Sequence, residues 1–219
     1  MALETIQIDT GANPVATLIL LHGLGADGND FVPFVEEIDL SSLGPVRWVF
    51  PHAPTMPVTI NGGYVMRAWY DILGANMSQR EDETGLRRSM GEVQAIIDAE
   101  RARGIPANRI VLAGFSQGCA MTLLAGLRSP ERLAGLVGMS GYLPLAAALP
   151  AERHPANADV PIFLAHGRAD PVVPFDRAVA SRDVLTALGY PVEWHEYSMQ
   201  HSVCPQEIFD LKNWLLKVL

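Results

Sequence analysis

The chain alternates between continuous apolar runs and segments whose apolar residues recur at helical spacing. The continuous runs are Val15–Leu21, Val46–Phe50, Arg109–Phe115, Leu133–Met139, Val160–Ala165 and Val192–Met199, and a shorter run is Ile6–Asp9. Runs that are apolar throughout are typical of strands buried on both faces, as in a parallel sheet covered by helices. The shorter run predicts an edge strand.

Helical spacing predicts five helices between and after these strands. They extend from Asn29 or Asp30 to about Ile38, from about Gly85 to Arg103, over Gln117–Leu127, from about Phe175 to Leu188, and over Pro205–Val218. Gly104 and Gly189 are expected to end two of them, because glycine accepts the left-handed conformation that often follows a helix. Strands alternating with helices predict an α/β fold with a mostly parallel sheet, as one domain over residues 1–219.

Composition and charge narrow the class of function. The net charge is −8, from 16 Lys and Arg against 24 Asp and Glu, with no basic cluster, so no nucleic acid partner is expected. Cys119 and Cys204 provide no disulfide framework, and both are expected to be reduced thiols in a cytoplasmic protein. No apolar run is long enough to span a bilayer and no secretory signal pattern is present, so stable membrane insertion is not expected.

The residues Gly-Phe-Ser-Gln-Gly at positions 114–118 lie between a predicted strand and a predicted helix. Gly-x-Ser-x-Gly in that context is typical of a nucleophile elbow. A Cβ two residues before or after the serine would crowd the neighbouring backbone. The turn would present the Ser116 hydroxyl at a helix N-terminus, where backbone N–H groups favour negative charge. Ser116 is therefore the candidate nucleophile, and a chance match at a buried turn is the alternative.

A serine nucleophile needs a histidine base, which in turn needs a carboxylate. On an α/β sheet with this elbow, the order along the chain is Ser, then the acid, then His. His201 follows the last predicted strand and is the candidate base, whereas His195 lies within that strand. Asp170 follows a buried strand, at the end where functional groups gather, and is the candidate carboxylate. Asp159 precedes the same strand and so would lie at the opposite end of the sheet.

Two backbone N–H donors are required to stabilise the oxyanion of a tetrahedral intermediate. The N–H of Gln117, directly after the nucleophile, is one candidate. The Leu24 N–H, in the His22-Gly23-Leu24-Gly25 loop, is the other, and an ordinary glycine turn is the alternative for that loop. His22 itself is expected to brace the loop. No HExxH motif or paired His/Cys spacing is present, so neither a metal nor a cofactor is expected.

Five segments carry a resemblance to a known family. They are LHGLGADG at 21–28, APTMPVTINGGYVMRAWYDI at 53–72, AGFSQGCA at 113–120, HGRADPVVP at 166–174 and MQHSVCPQEI at 199–208. In this order they resemble small bacterial-type carboxylesterases of the acyl-protein thioesterase and phospholipase/carboxylesterase family. The resemblance implies a single-domain α/β-hydrolase fold, a triad of Ser116, Asp170 and His201, and oxyanion donors Leu24 and Gln117. Cys119 and Gln200 depart from it, since family members commonly have glycine at both positions.

The long segment from His52 to Thr84 has little regular pattern, and such segments tend to be functional. Its Met66, Trp69 and Tyr70 are candidates for an apolar acyl site, with simple packing of the loop as the alternative. The connection from Leu143 to Asp159 is too short for a cap domain, which leaves an open groove.

The sequence thus predicts a serine esterase for short to medium acyl chains, with thioesters and lysophospholipids as further candidates. Its partner would be a small-molecule ester or acylated substrate, and a homodimer is left open. A non-catalytic ligand-binding module and a peptidase or amidase on the same fold are the alternatives.

Overall fold

A computed structural model of the chain describes residues 3–74 and 81–219. Nine strands occur in these residues: β1 (Thr5–Asp9), β2 (Ala16–Leu21), β3 (Val46–Pro51), β4 (Thr55–Val58), β5 (Tyr64–Arg67), β6 (Ile110–Phe115), β7 (Gly135–Met139), β8 (Ile162–Gly167) and β9 (Val192–Tyr197). Seven of them form one sheet in the order β1-β3-β2-β6-β7-β8-β9. Only β1 is antiparallel to its neighbour, and it lies at the edge. The predicted mostly parallel α/β sheet is confirmed.

The described α-helices are α1 (Phe34–Glu37), α2 (Glu83–Ala102), α3 (Gln117–Gly126), α4 (Leu149–Glu152), α5 (Phe175–Ala187) and α6 (Pro205–Val218). The predicted ends of α2 and α5 are confirmed, since Gly104 and Gly189 follow them with φ of +100° and +87°. Every residue of α3 is buried, because this helix lies between the sheet and the other elements that cover the same face of the sheet. No helix in the described ranges is long and apolar enough to cross a membrane.

The helix predicted from Asn29 or Asp30 to Ile38 is wrong. The segment instead forms a 3₁₀ turn at Gly28–Phe31 and then the single turn α1. Asp27, rather than Asn29 or Asp30, caps the first turn, and its carboxylate accepts the Asn29 N–H at 2.8 Å. Pro33 separates the two turns, because it has no N–H to donate to a continuous helix.

The segment from His52 to Thr84 is more regular than its sequence pattern indicates. It contains the antiparallel hairpin of β4 and β5, which pairs with no strand of the main sheet. A self-paired hairpin has no face buried along its length, so the continuous apolar signal of the other strands is missing. Residues 75–80 of the segment lie outside the described residues. Asp82 caps α2, and its carboxylate accepts the Gly85 N–H at 2.9 Å.

Buried apolar residues lie on both faces of the sheet. On one face, α2 and α3 pack against β2 and β6 through Leu86, Val93 and Met121. On the other face, α6 packs through Leu211 and Trp214. This double cover leaves the carboxyl edge of the parallel strands as the place where polar loops meet.

Candidate active site

Ser116 follows β6 directly and has a strained backbone, with φ of +56° and ψ of −116°. Glycine is required on both sides of the serine, because neighbouring backbone lies too close to each α-carbon to leave room for a Cβ. A Cβ at Gly114 would overlap the Gly118 carbonyl, and a Cβ at Gly118 would overlap the Leu21 carbonyl in β2. The Ser116 N–H donates to the Met139 carbonyl at 2.9 Å, which ties the turn to the end of β7. The sharp strand-to-helix turn predicted from Gly-x-Ser-x-Gly is confirmed.

Ser116, His201 and Asp170 form a hydrogen-bonded series in that order in space. The His201 Nε2 is 3.0 Å from the Ser116 Oγ, and its Nδ1 is 2.7 Å from the Asp170 Oδ2. The other carboxylate oxygen, Oδ1, accepts the N–H groups of Val172 and Val173 at 2.8 and 2.9 Å. Because a carboxylate only accepts, Nδ1 carries the ring proton and Nε2 is free to take the proton of the serine.

A second histidine, His166 in β8, lies behind the carboxylate. Its Nε2 is 2.9 Å from the Val173 carbonyl and 3.4 Å from the Asp170 Oδ2. Burial lowers the pKa of His166, so the ring is neutral and donates its Nε2 proton to the Val173 carbonyl. A neutral His166 places no positive charge beside Asp170. The only signal of His166 in the sequence is its place at the end of a predicted strand.

Leu24 and Gln117 lie beside Ser116 at the wall of one groove. Within the described ranges, the backbone N–H groups of both residues donate to no protein acceptor. The neighbouring His22 braces the loop, as expected, because its Nδ1 donates to the Gly23 carbonyl at 2.7 Å and its Nε2 accepts the Ala53 N–H at 3.0 Å. Burial lowers the pKa of His22 and keeps the ring neutral in this role.

The Gln117 side chain fixes the long loop to the elbow. Its Oε1 accepts the Trp69 N–H at 3.0 Å, and its Nε2 donates to the Tyr70 carbonyl at 2.9 Å. The Trp69 indole N–H donates to the His22 carbonyl at 2.9 Å. One glutamine thus sets the position of residues 69 and 70 relative to the serine.

Of the three side chains predicted for an acyl site, Tyr70 alone lines the groove beside Ser116. Trp69 is completely buried, and packing of the loop, the alternative interpretation, describes it correctly. Met66 is half-buried, with its sulfur 3.4 Å from the Asn61 side-chain nitrogen, and does not line the groove. The expectation that Met66 and Trp69 line the groove beside Ser116 is therefore corrected, because the Trp69 indole turns to His22 and the Met66 sulfur turns to Asn61.

The groove is a mostly apolar cavity of about 200 Å³. Its lining residues are Leu24, Ile60, Asn61, Tyr70, Ile72, Ser116, Gln117, Tyr142, Val172 and Val173. Sequence reasoning missed Tyr142, although it follows β7 and so obeys the same strand-end rule as Ser116 and Asp170. Cys119 is a free, buried thiol behind the groove, and burial raises its pKa to about 12.

The described residues contain no group of three or more His, Cys, Asp or Glu side chains arranged to hold a metal ion. A neutral imidazole hydrogen-bonded to a serine, beside an apolar groove, suits nucleophilic acyl transfer.

Comparisons with known proteins identify consistent relatives. A family model described as phospholipase/carboxylesterase matches residues 4–219. Acyl-protein thioesterase 1 of Yarrowia lipolytica is 41% identical over 215 residues, which cover 96% of this chain and 95% of that protein. Acyl-protein thioesterase 1 of Schizosaccharomyces pombe is 44% identical over 183 residues, covering 84% and 81%.

Solved structures agree with these sequence relatives. The crystal structure of Arabidopsis thaliana SOBER1 superposes with a TM-score of 0.88 at 31% identity, over 93% of this chain and 98% of that chain. Zea mays acyl-protein thioesterase 2 gives a TM-score of 0.87 at 29% identity, over 98% of both chains. The similarity extends over nearly the whole molecule.

Proposed function

The chain belongs to the phospholipase/carboxylesterase family and is an esterase-type serine hydrolase of the α/β-hydrolase fold, and we propose that Ser116, His201 and Asp170 carry out its ester and thioester hydrolysis. The single observation that supports these roles best is the hydrogen-bonded series from Ser116 Oγ through His201 to Asp170 Oδ2. Each member is in the orientation that general-base activation of a serine requires.

In the acylation step, His201 Nε2 takes the proton of Ser116 as the Oγ attacks the substrate carbonyl carbon. The carbonyl oxygen becomes an oxyanion, and the N–H groups of Leu24 and Gln117 are the proposed donors to it. When the tetrahedral intermediate collapses, the bond to the leaving alkoxide or thiolate breaks, and His201 returns its proton to that group. Ser116 is then acylated and the alcohol or thiol has left.

In the deacylation step, water takes the place of the leaving group. His201 removes a proton from the water as it attacks the acyl carbon, and then gives that proton to the Ser116 Oγ when the acid product leaves. Asp170 remains a carboxylate throughout and stabilises the imidazolium that forms in each half of the cycle. The enzyme returns to its starting state with one ester bond hydrolysed.

The substrates are small-molecule or acylated compounds. The relatives named acyl-protein thioesterase 1 make a thioester on a protein a candidate substrate for this chain, beside simple esters. The alternatives of a non-catalytic binding module or a peptidase have no support in these relatives. A homodimer and a cytoplasmic location stay predictions.

The proposed nucleophile is tested with Ser116→Ala and p-nitrophenyl butyrate. The variant is expected to lose turnover and covalent labelling by a fluorophosphonate while keeping its circular dichroism spectrum. Ser41→Ala, at an exposed serine remote from the groove, is the matched control and should retain both properties. Turnover near the wild-type rate in Ser116→Ala would contradict the assignment.

A further inference from the structure

Two tyrosines stand together in the groove that begins at Ser116. The hydroxyl oxygens of Tyr70 and Tyr142 are 2.8 Å apart and share a hydrogen bond. The two residues are only 3% and 5% exposed. Both also line a recess of about 10 Å³ together with Glu81 and Asp82, which is too small for a ligand. The pair therefore lies between the apolar groove and the closely packed residues behind it.

Contacts on both sides hold this pair in place. The Tyr70 carbonyl accepts a hydrogen bond from the Gln117 side chain at 2.9 Å. The guanidinium carbon of Arg177 lies 3.4 Å from the centroid of the Tyr142 ring, in a cation–π contact. Arg177 Nη2 in turn lies 3.8 Å from Glu81 Oε1. The Tyr142 ring cannot turn aside without breaking the contact with Arg177, and the Tyr70 ring cannot do so without breaking the hydrogen bond between the two hydroxyls.

The pair is also a poor surface for the end of a long alkyl chain. Burial raises the pKa of both hydroxyl groups, so both stay protonated, and one donates to the other in their shared hydrogen bond. A chain that pushed between them would leave buried hydroxyls without partners, which is unfavourable. The apolar part of the groove therefore ends where the hydroxyls meet.

We propose that the Tyr70–Tyr142 pair is the end wall of the acyl site and restricts this enzyme to short acyl chains. The proposal rests on the function assigned above and adds a specificity determinant to it. The cavity of about 200 Å³ agrees with it. Longer chains would have to remain in solvent or displace the tyrosines.

The proposal is tested with kcat/KM for a series of p-nitrophenyl esters from acetate to dodecanoate. The wild-type protein is expected to prefer butyrate or hexanoate. Tyr142→Ala removes one ring of the wall and is expected to raise the decanoate-to-butyrate ratio of kcat/KM by about tenfold or more, the scale on which apolar pockets discriminate methylenes. Tyr142→Phe retains the ring across the groove and should raise the ratio less. Tyr64→Ala, at an exposed tyrosine of the hairpin, should leave it unchanged.

The outcomes separate this proposal from the catalytic assignment. Fluorophosphonate labelling of Ser116 reports in every variant whether the protein is folded and its nucleophile active, and Tyr142→Leu replaces Tyr142→Ala if the latter does not fold. A wild-type protein that hydrolyses decanoate as well as butyrate would overturn the end wall, as would a ratio unchanged in Tyr142→Ala. Failure of the wild-type protein to hydrolyse any ester or to be labelled would instead overturn the function.

Discussion

Cys119 fills the space next to the α-carbon of Gly141. A Cβ at Gly141 would overlap the Cys119 Cβ and would lie 2.6 Å from its Sγ. The sulfur also approaches Gly138, where an added Cβ would lie 2.8 Å from it. The cysteine that departs from the glycine common in the family is thus accommodated by two glycines behind the groove. The Cys119 side chain is thus part of the close packing under the nucleophile turn.

Gly141→Ala is expected to lower the free energy of unfolding by about 1–3 kcal/mol, because it overpacks this contact. Cys119→Gly in the same chain should recover part of the loss, since it removes both overlapping atoms and leaves the Ser116 carbonyl, 2.8 Å from the added Cβ, as the remaining close neighbour. Urea unfolding of the two single variants and the double variant measures the coupling. Strictly additive effects would mean that the two residues do not compete for the same space.

Asp170→Asn is expected to lower kcat by about 10⁴-fold with little change in structure, the scale of the same replacement in a serine protease triad. The amide can donate a hydrogen to Nδ1, which would place the ring proton of His201 on Nε2, where it can no longer accept from Ser116. Asp176→Asn, in the first turn of α5, is the control for the chemical change alone. Ester hydrolysis and the circular dichroism spectrum are measured for both variants. Equal activities of Asp170→Asn and Asp176→Asn would show that Asp170 does not orient His201.

Gly118→Ala is expected to prevent folding or to abolish activity, because the added Cβ would overlap a backbone carbonyl in β2 that the sheet holds in place. Gly91→Ala is the matched control. Gly91 lies in the middle of α2 with open space around its α-carbon, so alanine there should raise the free energy of unfolding by about 0.5–1 kcal/mol. Thermal unfolding compares the two. A stable, active Gly118→Ala protein would contradict the packing of the elbow against β2.

Glu207 in the first turn of α6 is completely buried, and burial raises its pKa from 4.5 to about 8. The native state therefore holds a proton on Glu207 that the unfolded chain releases, so the contribution of this group to stability is greatest below about pH 4.5 and is lost as the pH rises through about 8. Between pH 6 and pH 9 this contribution falls by about 3 kcal/mol.

Glu207→Gln keeps the shape of the side chain and removes the titration. Its free energy of unfolding in urea is expected to decline less than that of the wild-type protein between pH 6 and pH 9. Glu37→Gln, at an exposed glutamate, should show the wild-type decline. The same decline in all three proteins would mean that Glu207 is not protonated in the native state.

The elements that the sequence predicted well carry strong local signals. Helix α6 has the predicted bounds of Pro205–Val218, because proline starts it and its apolar face is regular. The elements that were missed depend on one residue or on distant pairing. Pro33 interrupts an otherwise convincing helical pattern, and the β4–β5 hairpin is stabilised by pairing between its own two short strands.

The sequence by itself determined the chain order of Ser116, Asp170 and His201 and the position of each after a strand. That was sufficient to predict their proximity, because parallel strands bring their carboxyl ends to one edge of the sheet. Only the tertiary structure decided which loop side chains reach the groove. Trp69 is buried and Tyr70 lines the groove, because the Gln117 side chain fixes the backbone of both residues. Tyr142 completes the wall from another strand end, and such a contact between distant residues has no signature in a linear pattern.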